Sequence, residues 1–72
     1  MIKINGLVYE EKKFEDNEHA GVRHLVIVIH GRLKTDDNKL TILYNGDIFY
    51  GIRILPHYDQ EKFSTMFLVY VQ

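Results

Sequence analysis

The sequence predicts an all-β fold, a small five-stranded antiparallel meander. The first observation is a set of strand-length apolar blocks, namely Leu25–Ile29, Leu40–Tyr44, Ile48–Leu55 and Met66–Val71. The second is the Asn45-Gly46 pair between two of these blocks, because Asn-Gly between apolar runs is a strong hairpin signal. The third is the length of 72 residues, which predicts a single domain spanning residues 1–72.

The Asn45-Gly46 pair also predicts the register of its hairpin. A two-residue turn places Leu43 opposite Ile48 and Ile42 opposite Phe49. Because side chains alternate along a strand, these two pairs are expected on opposite faces of the sheet.

The segment Val22–Lys34 is predicted to be one long strand that bends at Gly31, since a glycine inside a strand often marks a bend. One face is expected to join the core and the other to lie outside it. The core side carries Leu25, Ile27, Ile29 and Leu33, and the outer side carries His24, Val26, Val28 and His30. The polar residues Thr35–Lys39 predict a turn, so this strand is expected to pair with Leu40–Tyr44.

The other segments complete the predicted meander. Ile2–Phe14 is expected to be the first strand, with apolar residues at Ile2, Ile4 and Val8. Glu15–Gly21 is predicted to be a surface loop or one helical turn, and His57–Lys62 likewise. Pro56 is expected to end the fourth strand because it lacks an N–H group. Phe63–Gln72 is the last strand.

The hairpin sequence Leu40–Ile52 resembles the first motif of Sm-like proteins. It has a strand, an Asn-Gly turn, and a second strand that contains Phe49 and Gly51. Nothing in Met66–Gln72 is similar to the second Sm motif, which carries an Arg-Gly pair. The resemblance implies an SH3-like or Sm-like barrel, and a strongly twisted sheet is the alternative.

The bulk composition narrows the class of protein. Nine Lys and Arg residues against ten Asp and Glu residues give a net charge of −1, without the basic excess of a duplex-DNA binder. Cysteine is absent, so the sequence has no disulfide or thiolate metal ligand. The N-terminus lacks the apolar run of a signal peptide and no segment is long enough to span a membrane. These features predict a soluble, cytoplasmic protein.

No catalytic residue, cofactor or metal site is predicted. Ser64 is the only serine and lies outside a nucleophile-type Gly-x-Ser-x-Gly turn. A straight strand separates His24 from His30 by about 20 Å, so one metal ion cannot bind both. The acidic residues fall in predicted turns, loops and strand ends, where carboxylates are usually solvated.

The sequence therefore predicts a non-catalytic interaction protein that works as a homo-oligomer or with a protein partner. Short chains bury a modest core and commonly need oligomerisation. The expected interface residues are His24, Val26, Val28 and His30, followed by Leu68 and Tyr70 of a C-terminal strand that can pair edge to edge. Size and a composition typical of AT-rich genomes suggest a bacterial or phage accessory or inhibitor protein. The alternative is a small β-barrel that binds single-stranded nucleic acid or a nucleotide through Tyr44, Phe49 and Arg53.

Overall fold

The computed structural model describes all 72 residues. They form one antiparallel sheet of seven strands with connecting turns and no helix. The strands are β1 (Ile2–Ile4), β2 (Leu7–Tyr9), β3 (Glu11–His19), β4 (Val22–His30), β5 (Lys39–Tyr44), β6 (Asp47–Asp59) and β7 (Ser64–Val71). Their order in the sheet is β2-β1-β5-β6-β7-β4-β3. The all-β prediction is confirmed. The five-stranded meander and the Sm-like or SH3-like barrel are wrong, because the sheet has seven strands and is open: no ladder joins β2 to β3.

A second Asn-Gly hairpin accounts for one of the additional strands. Asn5 and Gly6 have φ values of 48° and 84°, and they connect β1 to β2. The turn reverses the chain after Ile4, so Val8 pairs with Lys3 and is exposed, whereas Tyr9 is buried. The single N-terminal strand from Ile2 to Phe14 is therefore wrong.

The other additional strand is β3, whose second half, residues 15–19, lies in the segment for which the sequence predicted a loop or a helical turn. Glu11–His19 pairs with β4 along its length, and a turn at Ala20-Gly21 connects the two strands. A strand at the edge of a sheet tolerates charged side chains, which also discourage uncontrolled pairing. The charge that indicated a loop is thus typical of an edge strand.

The hairpin of β5 and β6 confirms the register predicted from Asn45-Gly46. Leu43 pairs with Ile48, and Ile42 with Phe49. Ile42 and Phe49 are buried whereas Leu43 and Ile48 are exposed, as alternation predicts.

The predicted pairing of the long strand with Leu40–Tyr44 is wrong, because β4 lies between β3 and β7. The strand ends at His30, and residues 31–38 form a crossover segment to β5. Hydrogen bonds hold the start of this segment: the Gly31 N–H donates to the Phe63 carbonyl at 2.6 Å, and the Thr65 hydroxyl donates to the Gly31 carbonyl at 2.6 Å. Leu33 follows in the crossover and packs on the core.

Pro56 does not end the fourth strand, since β6 continues to Asp59. The ladder between β6 and β7 is irregular between Ile54 and His57, and Leu55 within this bulge has a φ of 55°. A bulge leaves a residue unpaired, so Pro56 can lie inside a long strand without removing a ladder hydrogen bond.

The sheet curls so that one face encloses the core. Phe14 of the edge strand β3 stacks on Tyr44 of β5, with ring centroids 4.1 Å apart, although β4, β7 and β6 separate these strands in the sheet. We call the enclosed side the inner face. Its buried apolar side chains are Ile2, Ile4, Tyr9, Leu25, Ile27, Ile29, Leu40, Ile42, Phe49, Phe67 and Val69. The curl lets one short sheet cover its own apolar face.

Candidate interaction surface

The opposite, outer face of the sheet carries a continuous apolar surface on its three central strands. Strand register aligns His24 of β4, Tyr70 of β7 and Ile52 of β6 in one row. The next two rows repeat the arrangement along the strands. We call the nine residues the outer patch: His24, Tyr70 and Ile52, then Val26, Leu68 and Ile54, then Val28, Met66 and His57.

The outer patch is much more accessible than the inner face. Met66 is 47% exposed and Tyr70 is 46% exposed, whereas Phe67 and Val69 between them on β7 are fully buried. Val26, Leu68 and the other aliphatic residues of the patch are half-buried by their neighbours. From a strand spacing of about 4.8 Å and a rise of about 3.3 Å per residue, the patch measures roughly 14 by 20 Å. The largest apolar patch on a typical monomer covers about 300–600 Å² and is often functional, and the outer patch is close to the lower end of that range.

Five of the six predicted interface residues belong to the outer patch. His24 pairs with Tyr70, and Val26 pairs with Leu68, so side chains far apart in sequence lie next to each other. Val28 follows His24 and Val26 on the outer face of β4 and pairs with Met66. The sixth residue, His30, lies at the end of β4 opposite Ser64 and is exposed beyond the patch.

The C-terminal strand is not an edge strand, which corrects the prediction that it pairs edge to edge. β7 lies between β6 and β4 and has ladders on both sides. Leu68 and Tyr70 are therefore available to a partner only through their side chains on the outer face.

Sequence reasoning missed four residues of the outer patch: Ile52, Ile54, His57 and Met66. The register of the β5–β6 hairpin placed Ile52 on the same face as Ile48, and this signal was available. The position of β6 beside β7 follows from the tertiary fold and not from a local pattern, which explains why the patch as a whole was not predicted.

The residues of the nucleic-acid alternative lie on the inner face, which does not favour that prediction. Phe49 is only 6% exposed and belongs to the core. Tyr44 is half-buried and stacks on Phe14. Arg53 donates hydrogen bonds to the carbonyls of Thr35 and Asp36 in the crossover. These three residues do not form an exposed aromatic platform beside a free cation.

Charged side chains border the outer patch on both sides. On β3, Lys13 and Glu15 form an ion pair at 3.3 Å, and Asn17 pairs with His24. On β5, Lys39 pairs with Ile52. Polar side chains on β3 and β5 thus flank the apolar centre of the patch, as in many protein interfaces.

An ion pair with two hydrogen bonds lies on the inner side of β3 and β4. Arg23 donates from Nε to Oδ1 of Asp16 at 2.9 Å and from Nη2 to Oδ2. These hydrogen bonds hold the pKa of the Asp16 carboxyl below its ordinary value. The Arg23 guanidinium also lies 5.2 Å from the centre of the Phe49 ring, so the pair covers one end of the core.

A row of serine, histidine and aspartate occurs at the end of the patch, but its bonding is not that of a catalytic triad. Ser64 pairs with His30 on one side and with Asp59 on the other. A triad needs the histidine between the other two residues. Asp59 instead accepts hydrogen bonds from the backbone N–H groups of Glu61 and Lys62. No group of three or more His, Asp or Glu side chains is positioned to hold a metal ion.

Comparison with protein-family models, curated proteins and solved structures gives no match to this chain. The structure has no helix with the length and apolar character needed to cross a membrane.

Proposed function

We propose that this protein is a non-catalytic interaction protein that forms a homodimer through the outer patch. The observation that carries the proposal is the alignment of nine mainly apolar residues on the three central strands. The inner face already has a cover, because the sheet curls over its own core. The outer face has none within the chain, and a second sheet packed about 10 Å away is a usual way to cover such a face.

The size of the chain supports a second copy as the occupant. Only 14 of the 72 residues are buried, so the monomer has a small core for its length. Small domains without disulfides or metals commonly gain stability by oligomerisation. Association would remove the exposed parts of Met66 and Tyr70 from water, at a gain of roughly 25 cal/mol for each Å² of apolar surface.

The pattern of the outer patch is also compatible with a twofold axis. Its two histidines, His24 and His57, occupy diagonal corners of the patch. In a face-to-face dimer the twofold axis lies in the plane between the two sheets. Whether it runs along the strands or across them, each histidine faces an apolar residue of the second copy and not its own counterpart. Leu68, at the centre, meets Leu68 of the second copy in either orientation.

A single introduced cysteine tests this geometry directly, because the chain has no cysteine of its own. Leu68→Cys is conservative in size and places one thiol at the proposed twofold axis. Facing sheets are about 10 Å apart, too far for a disulfide but within reach of a short bismaleimide. We expect efficient cross-linking to a covalent dimer at low protein concentration. Asp37→Cys is the control, since Asp37 is exposed in the crossover and outside the patch.

The mass of the unmodified protein is the second measurement. Sedimentation equilibrium of the wild type is expected to give a dimer, and Leu68→Asp a folded monomer. Ile48→Asp is the matched control, because Ile48 is an exposed aliphatic residue on the same face but outside the patch. A well-folded wild-type monomer at high concentration, or equal cross-linking at positions 37 and 68, contradicts the proposal.

A further inference from the structure

Two of the three arginines have no carboxylate partner, and both line one cleft. Arg23 is paired with Asp16 by two hydrogen bonds. Arg32 and Arg53 form no ion pair within the chain. Both line a cleft of about 270 Å³ where the crossover segment lies beside the distal part of β6.

Contacts within the protein hold both arginines of this cleft in place. The half-buried Arg53 is held by its hydrogen bonds to the Thr35 and Asp36 carbonyls, at 2.8 and 3.0 Å. From the other side, Arg32 lies over the ring of Tyr58, with its guanidinium carbon 3.8 Å from the ring centre. The remaining lining residues include Leu33, Pro56, His57 and Thr65.

The bulge at Leu55-Pro56 brings Tyr58 into the cleft. It shifts the register between β6 and β7, so that Tyr58 pairs with Thr65, which is buried on the inner side. The stacking of Arg32 on Tyr58 orients a guanidinium whose N–H groups make no hydrogen bond within the protein. Pre-oriented guanidinium groups are the side chains best suited to bind phosphate, because their planar donors match its oxygens.

The charges of the lining residues favour an anionic ligand. Two guanidinium-bearing residues, Arg32 and Arg53, line the cleft, against one carboxylate-bearing residue, Asp36. The hydroxyl groups of Thr35 and Tyr58 add hydrogen-bonding capacity. The cleft is slightly smaller than the usual range for ligand pockets, which limits it to a small group such as a phosphate.

We propose that the cleft between Arg32 and Arg53 binds the phosphate group of a small ligand. Arg32 supplies the main charge-assisted hydrogen bonds, while Arg53, already bonded to the crossover, adds positive charge at a fixed position. The site lies on the inner side of the sheet and does not depend on the outer patch, although His57 borders both. Phosphate binding in the cleft can therefore be tested independently of dimerisation through the outer patch.

The test is a titration of ¹⁵N-labelled protein with inorganic phosphate at constant ionic strength, maintained with chloride. We expect saturable amide shifts at Arg32, Thr35 and Tyr58, and a loss of affinity of about tenfold or more in Arg32→Gln. Lys34→Gln is the matched control. It removes the same charge two residues away, on a side chain that does not line the cleft.

Two further titrations, with a nucleoside monophosphate and with a short single-stranded oligonucleotide, separate the possible sources of the phosphate group. A nucleoside monophosphate carries a terminal dianionic phosphate, and a short single-stranded oligonucleotide carries mainly phosphodiesters. Tighter binding of the nucleoside monophosphate at the same amides supports a small phosphate ligand, whereas tighter binding of the oligonucleotide overturns it in favour of a nucleic-acid ligand. No saturable shift with any of the three probes, or equal weakening by Lys34→Gln and Arg32→Gln, overturns the proposal.

Discussion

The carbonyl oxygen of Tyr70 occupies the space that a Cβ atom on Gly51 would need. The two residues lie on adjacent strands, β6 and β7, and a Cβ at Gly51 would also approach Cγ1 of Val69 to 2.6 Å. Glycine is therefore required at this position by close approach of the neighbouring backbone, and not by its own φ angle.

Gly51→Ala is expected to lower the free energy of unfolding by about 3 kcal/mol, the upper part of the range for overpacking, because ladder backbone cannot move aside. Urea unfolding followed by circular dichroism measures the change. Gly21→Ala is the comparison: its φ is +78° but nothing lies within 4 Å, so only left-handed strain of about 1 kcal/mol applies. A smaller loss in Gly51→Ala than in Gly21→Ala would contradict the close approach.

The Asn5-Gly6 turn is expected to contribute more stability than the Asn45-Gly46 turn. Both asparagines have φ near +50°, but only Asn5 uses its side chain to join two strands. Its Oδ1 accepts from the Thr41 N–H at 2.8 Å, and its Nδ2 donates to the Lys39 carbonyl at 3.2 Å. These bonds continue the pairing of β1 with β5 beyond the end of the ladder.

Comparison of Asn5→Ala with Asn45→Ala isolates that contribution, since the backbone strain is similar at the two sites. We expect Asn5→Ala to cost about 1–2 kcal/mol more, from two hydrogen bonds of about 1 kcal/mol each. Amide hydrogen exchange should show the additional opening in β1 and β2. Equal losses of stability would mean that the side-chain bonds contribute nothing measurable.

The contrast between these two turns shows how far the sequence predicts the fold. Asn45-Gly46 lies between two clear apolar runs, and its hairpin was predicted residue by residue. Asn5-Gly6 carries the same signal, but the flanking runs contain only three residues each, so the turn was not recognised. The Asn-Gly pair indicates a turn at both sites. Only the longer flanking strands at Asn45-Gly46 made the hairpin recognisable from the sequence.

The rest of the topology depends on contacts that no local pattern encodes. β4 and β5 follow one another in sequence, yet β6 and β7 lie between them in the sheet. The outer side of β4 was predicted from strand parity alone, and three of its proposed interface residues lie together with Leu68 and Tyr70 of β7. Completing the patch required knowing that β7 pairs with both β4 and β6.

Asp16 is expected to make stability depend on acidic pH. Hydrogen bonding to Arg23 lowers the pKa of Asp16 in the folded state, so the unfolded chain takes up its proton at higher pH. The stabilisation is complete above the unfolded pKa of about 3.9 and is lost as the pH falls towards the folded value.

The difference in stability between wild type and Asp16→Asn should therefore be present at neutral pH and shrink below about pH 4. Both groups are partly exposed, so the difference is expected to be small and to decrease with added salt. Urea unfolding across a pH series measures it. Glu61→Gln is the control, because Glu61 forms no ion pair, and a pH-independent effect of Asp16→Asn would contradict the assigned role.

The apparent stability of the wild type is expected to rise with protein concentration, because dimerisation through the outer patch binds the native state and not the unfolded chain. Thermal unfolding over about a hundredfold range of concentration should shift the midpoint upward in the wild type and in Ile48→Asp. Leu68→Asp should remove the shift while keeping the β-sheet circular dichroism spectrum, since position 68 is half-buried in the monomer and only the dimer would bury the introduced carboxylate completely. A midpoint that is independent of concentration in the wild type would mean that the outer patch remains uncovered in solution. That result would not contradict phosphate binding, because the cleft between Arg32 and Arg53 does not require a second copy.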